Sequence, residues 1–380
     1  MTAFRTNWPE VELGEVCDFA YGKSLPAKAR SGSGFPVFGS NGQVGLHEEA
    51  LTDGETIIIG RKGSFGEVHY SKESCSPIDT TYYITKHQTE AYLPWLARRL
   101  RYLGLDQLNR AAAIPGLNRA DAYRQRLLLP PLGEQKRIAA ILDAADALRT
   151  KRRESLDQLN TLLQSTFLDM FGDPVTNPKG WETQQLPELV SDENHSLKRG
   201  PFGGALKKEI FVPEGFKVYE QKHVIYNDFE IGEYFINEID YARLDAFKVK
   251  ANDLLVSCSG TIGRIAKVPE GATLGVMNQA LLKIRLKASR MLNHFFLNLW
   301  RSQPFERQVL GMTHGTGMKN MKSMQELKSI NFITPPLSLQ SQFAVIVGSV
   351  EQQKTRLRDH LAELDILFAS LQQRAFNGEL

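Results

Sequence analysis

From Phe343 onward the apolar residues recur at alternating steps of four and three. They are Phe343, Val347 and Val350, then Leu357, Leu361, Leu364, Phe368, Leu371 and Ala375, with Lys354 as the one basic interruption. Such steps keep side chains on a single stripe of an α-helix, the seam along which two helices coil. The stripe also occurs 205 positions earlier, at Ile138, Leu142, Ala145, Leu156, Leu159, Leu163 and Met170, with Arg149 in register with Lys354 and with Arg152 and Thr166 at the two remaining steps. Prolines precede each run, and Gly172 and Gly378 follow where a left-handed C-terminal cap belongs. The pattern predicts two long helices, over 132–171 and 337–380.

Outside the helices the chain repeats itself. Trp8-Pro9-Glu10-Val11-Glu12-Leu13 opens one half and Trp181-Glu182-Thr183-Gln184-Gln185-Leu186 the other. Phe35-Pro36-Val37-Phe38 then answers to Phe216-Lys217-Val218-Tyr219. A β-type run leads into a Gly-Ser loop in each half, Ile58 to Gly66 and Leu255 to Gly263, and both halves close on Pro-Pro-Leu before the helix. A 4,3 seam needs a partner. The second helix finds one only by running antiparallel along the first, which predicts an α+β protein with a pseudo-two-fold internal repeat. Its parts are two mixed α/β domains, 1–131 and 172–336, held apart by the two coiled helices. At about 1.5 Å per residue the seam would span roughly 50 Å.

Composition narrows the class. The 380 residues are 42% hydrophobic and 23% charged, which suits folded domains rather than a disordered chain. Three cysteines, widely spaced, provide neither a disulfide framework nor a zinc knuckle and point to a reducing, cytoplasmic compartment. No apolar run reaches the roughly 18 residues of a membrane span. The net charge of +3 is spread without large asymmetry, so bulk charge makes no case for nucleic acid.

Enzyme motifs fail one by one. Gly22-Lys23-Ser24 resembles the end of a phosphate loop, but Cys17 stands where that loop needs glycine. Glu326-Leu327-Lys328 lacks a nearby aspartate on its N-terminal side to complete a nuclease set, and the eight histidines include no HExxH pair. No metal site and no catalytic residue is expected.

What remains is a set of duplicated loops, rich in small residues and carrying basic or amide side chains. Arg61, Lys62 and Ser64 in one half, with Ser259, Thr261 and Arg264 in the other, sit after a strand where glycines allow close backbone approach. Asn118 and Arg119 answer to Lys319, Asn320 and Lys322, just upstream of Pro-Pro-Leu. Lys198 and Arg199, with Lys207 and Lys208, flank a glycine-rich turn. Arginine pairs bidentately with guanine and asparagine with adenine, which makes Arg61, Asn118, Arg119, Arg264, Lys319 and Asn320 candidate base readers. Lys198, Lys207, Lys208 and Lys322 are the candidate phosphate contacts. Off the seam, Ile141, Leu162, Ile346 and Leu367 are candidates for a protein dock. These residues allow a second reading, a coiled-coil interaction scaffold that binds no DNA.

Several stretches together resemble the specificity subunits of type I restriction-modification systems. They are Leu129-Pro130-Pro131-Leu132-Gly133-Glu134-Gln135, Met170-Phe171-Gly172-Asp173-Pro174, the Gly63-Ser64-x-Gly66 and Gly260-Thr261-x-Gly263 loops, and the terminal helix, in which Leu339 stands where the family favours Glu. The resemblance implies a non-catalytic subunit that binds double-stranded DNA at two half-sites and scaffolds two methyltransferase subunits acting on adenine N6. It further implies motor-nuclease subunits, with S-adenosylmethionine, ATP and Mg2+ used by those partners and none bound by this chain.

Overall fold

The computed structural model describes residues 7–108, 116–312 and 319–380, with backbone alone for 310–312 and 319–321. It divides into two compact units, one formed by residues 1–154 with 358–380 and the other by 155–357. The two long helices, Leu132–Phe171 and Leu337–Phe376, each contribute one half to each unit.

The first unit is built on a four-stranded antiparallel sheet in the order Ala20–Tyr21, Thr81–Ile84, Thr56–Gly60, Val68–Ser71. Thr56–Gly60 is buried along its whole length. Three consecutive isoleucines suit a central strand covered on both faces, where β-branched side chains pack well. Helix Leu93–Tyr102 covers the sheet with Trp95, Leu96 and Leu100. A smaller sheet pairs Phe35–Gly39 antiparallel with Gly42–His47 and parallel with Ser76–Pro77. The Trp-led segment pairs with the strand before Pro-Pro-Leu, Glu10–Glu12 against Arg126–Leu128, so the domain's two ends meet. Ile138, Ala139 and Leu142 of the first helix and Ala375 and Phe376 of the second join this core.

The second unit repeats the scheme. Its sheet runs Leu197–Arg199, Leu281–Ile284, Leu254–Ser257, Ile265–Lys267, helix Asn293–Arg301 takes the place of Leu93–Tyr102, and Thr183–Gln185 pairs with Asn331–Ile333. The counterpart of the small sheet has grown to five strands, with Phe211–Val212 added at one edge and Lys248–Val249 at the other, and residues 220–253 also add helices Gln221–Tyr226 and Glu238–Arg243. Two buried lysines hold this insertion. Lys217 Nζ donates to the carbonyls of Phe229 and Glu230, each at 2.8 Å, and Lys283 Nζ donates to that of Lys248 at 2.6 Å. Phe167 and Phe171 meet Phe295 and Phe343 in tilted and edge-to-face contacts, with centroids 4.7 to 5.6 Å apart.

Within each unit the helices run antiparallel, and the seam residues are buried or half-buried. In the first, Arg149 binds Asp365 (Nε to Oδ1, 2.6 Å) and Asp146 (2.9 Å) and lies over the Phe368 ring at 4.4 Å. In the second, the register-equivalent Lys354 is buried against Glu351 at 2.8 Å, 205 positions from Asp146 as Lys354 is from Arg149. Gly172 and Gly378 take φ of +77° and +72°, the left-handed termination expected of them. Gln135 and Gln340 explain the Pro-Pro-Leu signature. Gln135 accepts from the Tyr92 amide at 2.7 Å and donates to the Pro130 carbonyl at 2.9 Å, and Gln340 accepts from Leu292 at 2.9 Å and donates to Pro335 at 2.8 Å. Each glutamine latches the start of a long helix to the helix that covers its sheet.

Candidate nucleic-acid interface

The two Gly-Ser loops share one backbone. Gly60 N–H donates to the Glu67 carbonyl at 2.8 Å and Gly66 N–H to the Gly60 carbonyl at 2.8 Å, while Ser257 donates to Arg264 at 2.9 Å and Gly263 to Ser257 at 2.8 Å. Gly66 and Gly263 both lie near φ +80°, at +77° and +81°, a conformation that disfavours any residue with a Cβ. This fixes the equivalence at 197 positions. Lys62 thus superposes in role on Ser259, Ser64 on Thr261, Arg61 on the buried Cys258, and the exposed Glu67 on the exposed Arg264. One frame carries different chemistry in each half. The Ser257 hydroxyl, which donates to the Thr261 carbonyl at 2.6 Å, is a staple of the loop rather than part of its face.

In the first half the fold unites two candidate sets that lie far apart in sequence. The Arg61 carbonyl accepts from Leu117 N–H at 3.0 Å, and Lys62 bridges Gly116. Arg61, Lys62, Asn118 and Arg119 therefore line a single cleft of about 450 Å³ with Tyr21 and Tyr82. Arg61 stands 5.4 Å from the Tyr21 ring centroid and donates through Nη2 to the Asp79 carbonyl at 2.6 Å; Arg119 stands 5.5 Å from the same ring. Both guanidiniums pull the Tyr82 phenol down, but burial outweighs them and its pKa is raised. Ser64 opens instead onto neighbouring hollows of about 370 and 420 Å³, the second shared with Lys62.

Asn118 has a task the sequence did not disclose. Its Oδ1 accepts from Ala120 N–H at 2.9 Å and caps the helix Arg119–Tyr123. The corresponding cap before Met324–Lys328 is Ser323, so Asn118 aligns with Ser323 rather than with Lys319 or Asn320. Those two lie in the strand Lys319–Met321, paired with Leu310–Met312; their side chains, and Gly317-Met318 before them, lie outside the described residues. Lys322 is half-buried and its amide donates to the Val309 carbonyl at 3.2 Å.

The second half assembles a different surface. Arg199 occupies the place of Tyr21, since Tyr21 pairs with Tyr82 and Arg199 with Leu282 at the same step of the sheet. It lies 5.9 Å from the ring of Phe202, which is 75% exposed. Lys198 stands 5.6 Å from Phe247. Ser259, Thr261, Arg264, Lys207 and Lys208 are exposed.

The aromatic members Tyr21, Tyr82 and Phe202 were missed as site residues. The available signal was weak: Tyr21 precedes Gly22-Lys23-Ser24, and Phe202 interrupts a glycine-rich run. Among the described residues no group of three or more His, Cys, Asp or Glu could hold a metal ion. Burial pushes the thiols of Cys17 and Cys258 up to about 12 and about 11, so neither is a thiolate near neutral pH. No described helix is long and apolar enough to cross a membrane.

A family model described as the type I restriction modification DNA specificity domain matches residues 5–160 and 178–364. The chain belongs to this family. The match falls once on each half. Curated relatives include the EcoBI specificity subunit of Escherichia coli, 23% identical over 67% of this chain and 58% of that one, and the StySPI specificity subunit of Salmonella potsdam, 22% identical over 73% and 62%. The EcoprrI specificity subunit of Escherichia coli is 30% identical over 36% of this chain and 35% of its own length. The chain thus spans between about a third and three-fifths of these relatives. A crystal structure of a type I restriction-modification S subunit from M. genitalium matches 99% of this chain and 98% of its own at 15% identity and a TM-score of 0.59. A structure from a type I system described for complex assembly and conformational transition matches 98% of both chains at 18% and 0.57. The specificity-domain fold is common to all three.

Proposed function

We infer that the chain is the non-catalytic sequence-recognition subunit of a type I restriction-modification complex, in which each half binds one half-site of a bipartite double-stranded DNA target. The observation that carries this reading is the pair of Gly-Ser loops: two closing hydrogen bonds and two left-handed glycines recur at equivalent positions, while Lys62 is replaced by Ser259, and Glu67 by Arg264, in the second half. A frame kept while its face changes charge suits two modules that present one geometry to two different base sequences.

In this reading Arg61, Arg119 and Arg264 are base readers. Lys198, Lys207, Lys208 and Lys322 contact phosphate. Lys319 and Asn320 remain candidate readers from the sequence. Two adenine-N6 methyltransferase subunits, and motor-nuclease subunits where present, supply the chemistry with S-adenosylmethionine, ATP and Mg2+, while this chain binds no cofactor. Its compartment is the cytoplasm. The methyltransferases dock on the helices, where Leu162 and Leu367 are exposed and Ile141 and Ile346 half-buried.

The test is to reconstitute the chain with its methyltransferase subunits and map methylated adenines in the treated DNA. A two-part motif is expected. Methylation without sequence preference, or no co-purification of the two proteins, overturns the reading.

A further inference from the structure

The cleft around Tyr21 is rich in donors and poor in acceptors. Arg61, Lys62 and Arg119 bring three positive charges to it, and among the described residues no carboxylate lines it. Its amide oxygen is already engaged, because Asn118 Oδ1 takes the Ala120 amide at 2.9 Å. The Tyr82 hydroxyl is turned to the Leu117 carbonyl at 3.3 Å. Arg61 Nε is buried with no hydrogen-bond partner among the described residues.

The cations are also held in place. Arg61 is tied at Nη2 to the Asp79 carbonyl and set against Tyr21 and Tyr82, with centroids at 5.4 and 5.9 Å. Arg119 is set against Tyr21 and Tyr123 at 5.5 and 5.8 Å. Two like charges sharing one ring that is itself 52% exposed repel one another. A ligand offering only acceptors relieves that repulsion, and a planar guanidinium held beside aromatic rings matches a flat, two-acceptor edge better than a mobile ammonium does.

Resting on the reading of the chain as a DNA-recognition subunit, we propose that this cleft reads a guanine in the first half-site through its O6 and N7 edge. Tyr21 is the positioning residue that holds Arg61 and Arg119 to it. Guanine is the base whose major-groove edge presents two acceptors side by side, O6 and N7, whereas adenine and cytosine present amino donors that would find no carboxylate or free amide oxygen among the described residues of this cleft. Asn118 is then a helix cap and not an adenine reader. The second half, with Arg199 in the place of Tyr21, lacks this ring. Phosphate oxygens share guanine's acceptor chemistry, so the experiment separates the two sources.

The full chain is used to select from a randomised duplex library, and the selected duplex is then remade with 7-deazaguanine at each guanine and, separately, with a methylphosphonate at each linkage. One 7-deazaguanine in the first half-site is expected to weaken wild-type binding by about tenfold or more. Arg119→Ala is expected to lose about as much on the ordinary duplex and little further on the 7-deaza duplex. Tyr21→Ala should lose roughly tenfold and accept other bases at that position, while Tyr21→Phe, which keeps the ring, binds as wild type; melting by circular dichroism verifies that all variants fold. The proposal is overturned if no 7-deaza position matters while one methylphosphonate does, with Arg119→Ala lowering the salt slope by about one on every sequence, which is the behaviour of a phosphate contact. It is equally overturned if Tyr21→Ala leaves base preference intact. A wild-type chain that selects no sequence at all would instead refute the recognition function on which the proposal rests.

Discussion

Gln135 is the polar residue on which the join between the first recognition sheet and its long helix depends. It is 4% exposed, accepts from the Tyr92 amide at 2.7 Å and donates to the Pro130 carbonyl at 2.9 Å. Gln135→Leu keeps the volume approximately and removes both bonds. The Pro130 carbonyl is then buried without a partner and the Tyr92 amide partly so. Each such group costs about 1–3 kcal/mol, more where water is excluded. Against this, the leucine adds apolar burial of about 1 kcal/mol. The net loss should be about 2 kcal/mol, or roughly 4–8 °C in Tm for a unit of this size. Gln135→Glu, which keeps the acceptor for Tyr92 but turns an oxygen on the Pro130 carbonyl, should fall as far or further at neutral pH. Urea unfolding of the full chain gives the stability, and hydrogen exchange at the Tyr92 amide reads the latch directly. If Gln135→Leu stays within about 0.5 kcal/mol of wild type with Tyr92 protection unchanged, the latch reasoning is wrong.

Other consequences follow from the same kind of argument. Gly66→Ala would put a Cβ 2.2 Å from the Asp106 amide at φ +77°, whereas at Gly63, φ +73°, nothing lies within 4 Å; the first should cost at least about 2 kcal/mol and the second about 1, and equal losses in thermal melts would refute this. Lys354→Met, which removes a buried ammonium from an otherwise apolar seam, should leave the second unit as stable or stabilise it; a loss above about 1 kcal/mol in urea would show that the pair with Glu351 contributes net stability. Burial brings the Lys283 amine down to about 8, with its side chain 2% exposed. Its folded value lies below its unfolded one, near 10.4, so between those values the unfolded chain binds more protons and stability rises with pH. The stability difference between wild type and Lys283→Met should therefore shift in favour of wild type by up to about 3 kcal/mol from pH 8 to 10.5, and a flat difference contradicts it.

The sequence alone determined what is periodic or local. The 4,3 stripe requires a helical seam whatever surrounds it, and Arg149 and Lys354 could be placed in register because a helix carries phase along its length. Gly172 and Gly378 announced helix ends since few other residues take a left-handed φ without strain. The duplicated Gly-Ser loops were visible for the same reason: Gly66 and Gly263 are needed by the backbone itself. Tertiary structure decided everything that joins residues distant in the chain. The bridge of Lys62 to Gly116 brings Arg119 to Arg61, and the strand order that places Thr81–Ile84 between Ala20–Tyr21 and Thr56–Gly60 brings Tyr21 and Tyr82 to the same cleft; no local propensity encodes that arrangement. Asn118 reads as a base contact in the sequence, and its capping of a helix is visible only in the fold, because an exposed amide before a short helix has the same local signature in either role. Nothing local in the sequence marks Lys217 and Lys283 as buried; the carbonyls that surround them come from the insertion. Whether a charged side chain faces water or a ring of carbonyls depends on which backbone covers it, and that is settled only when the sheets close.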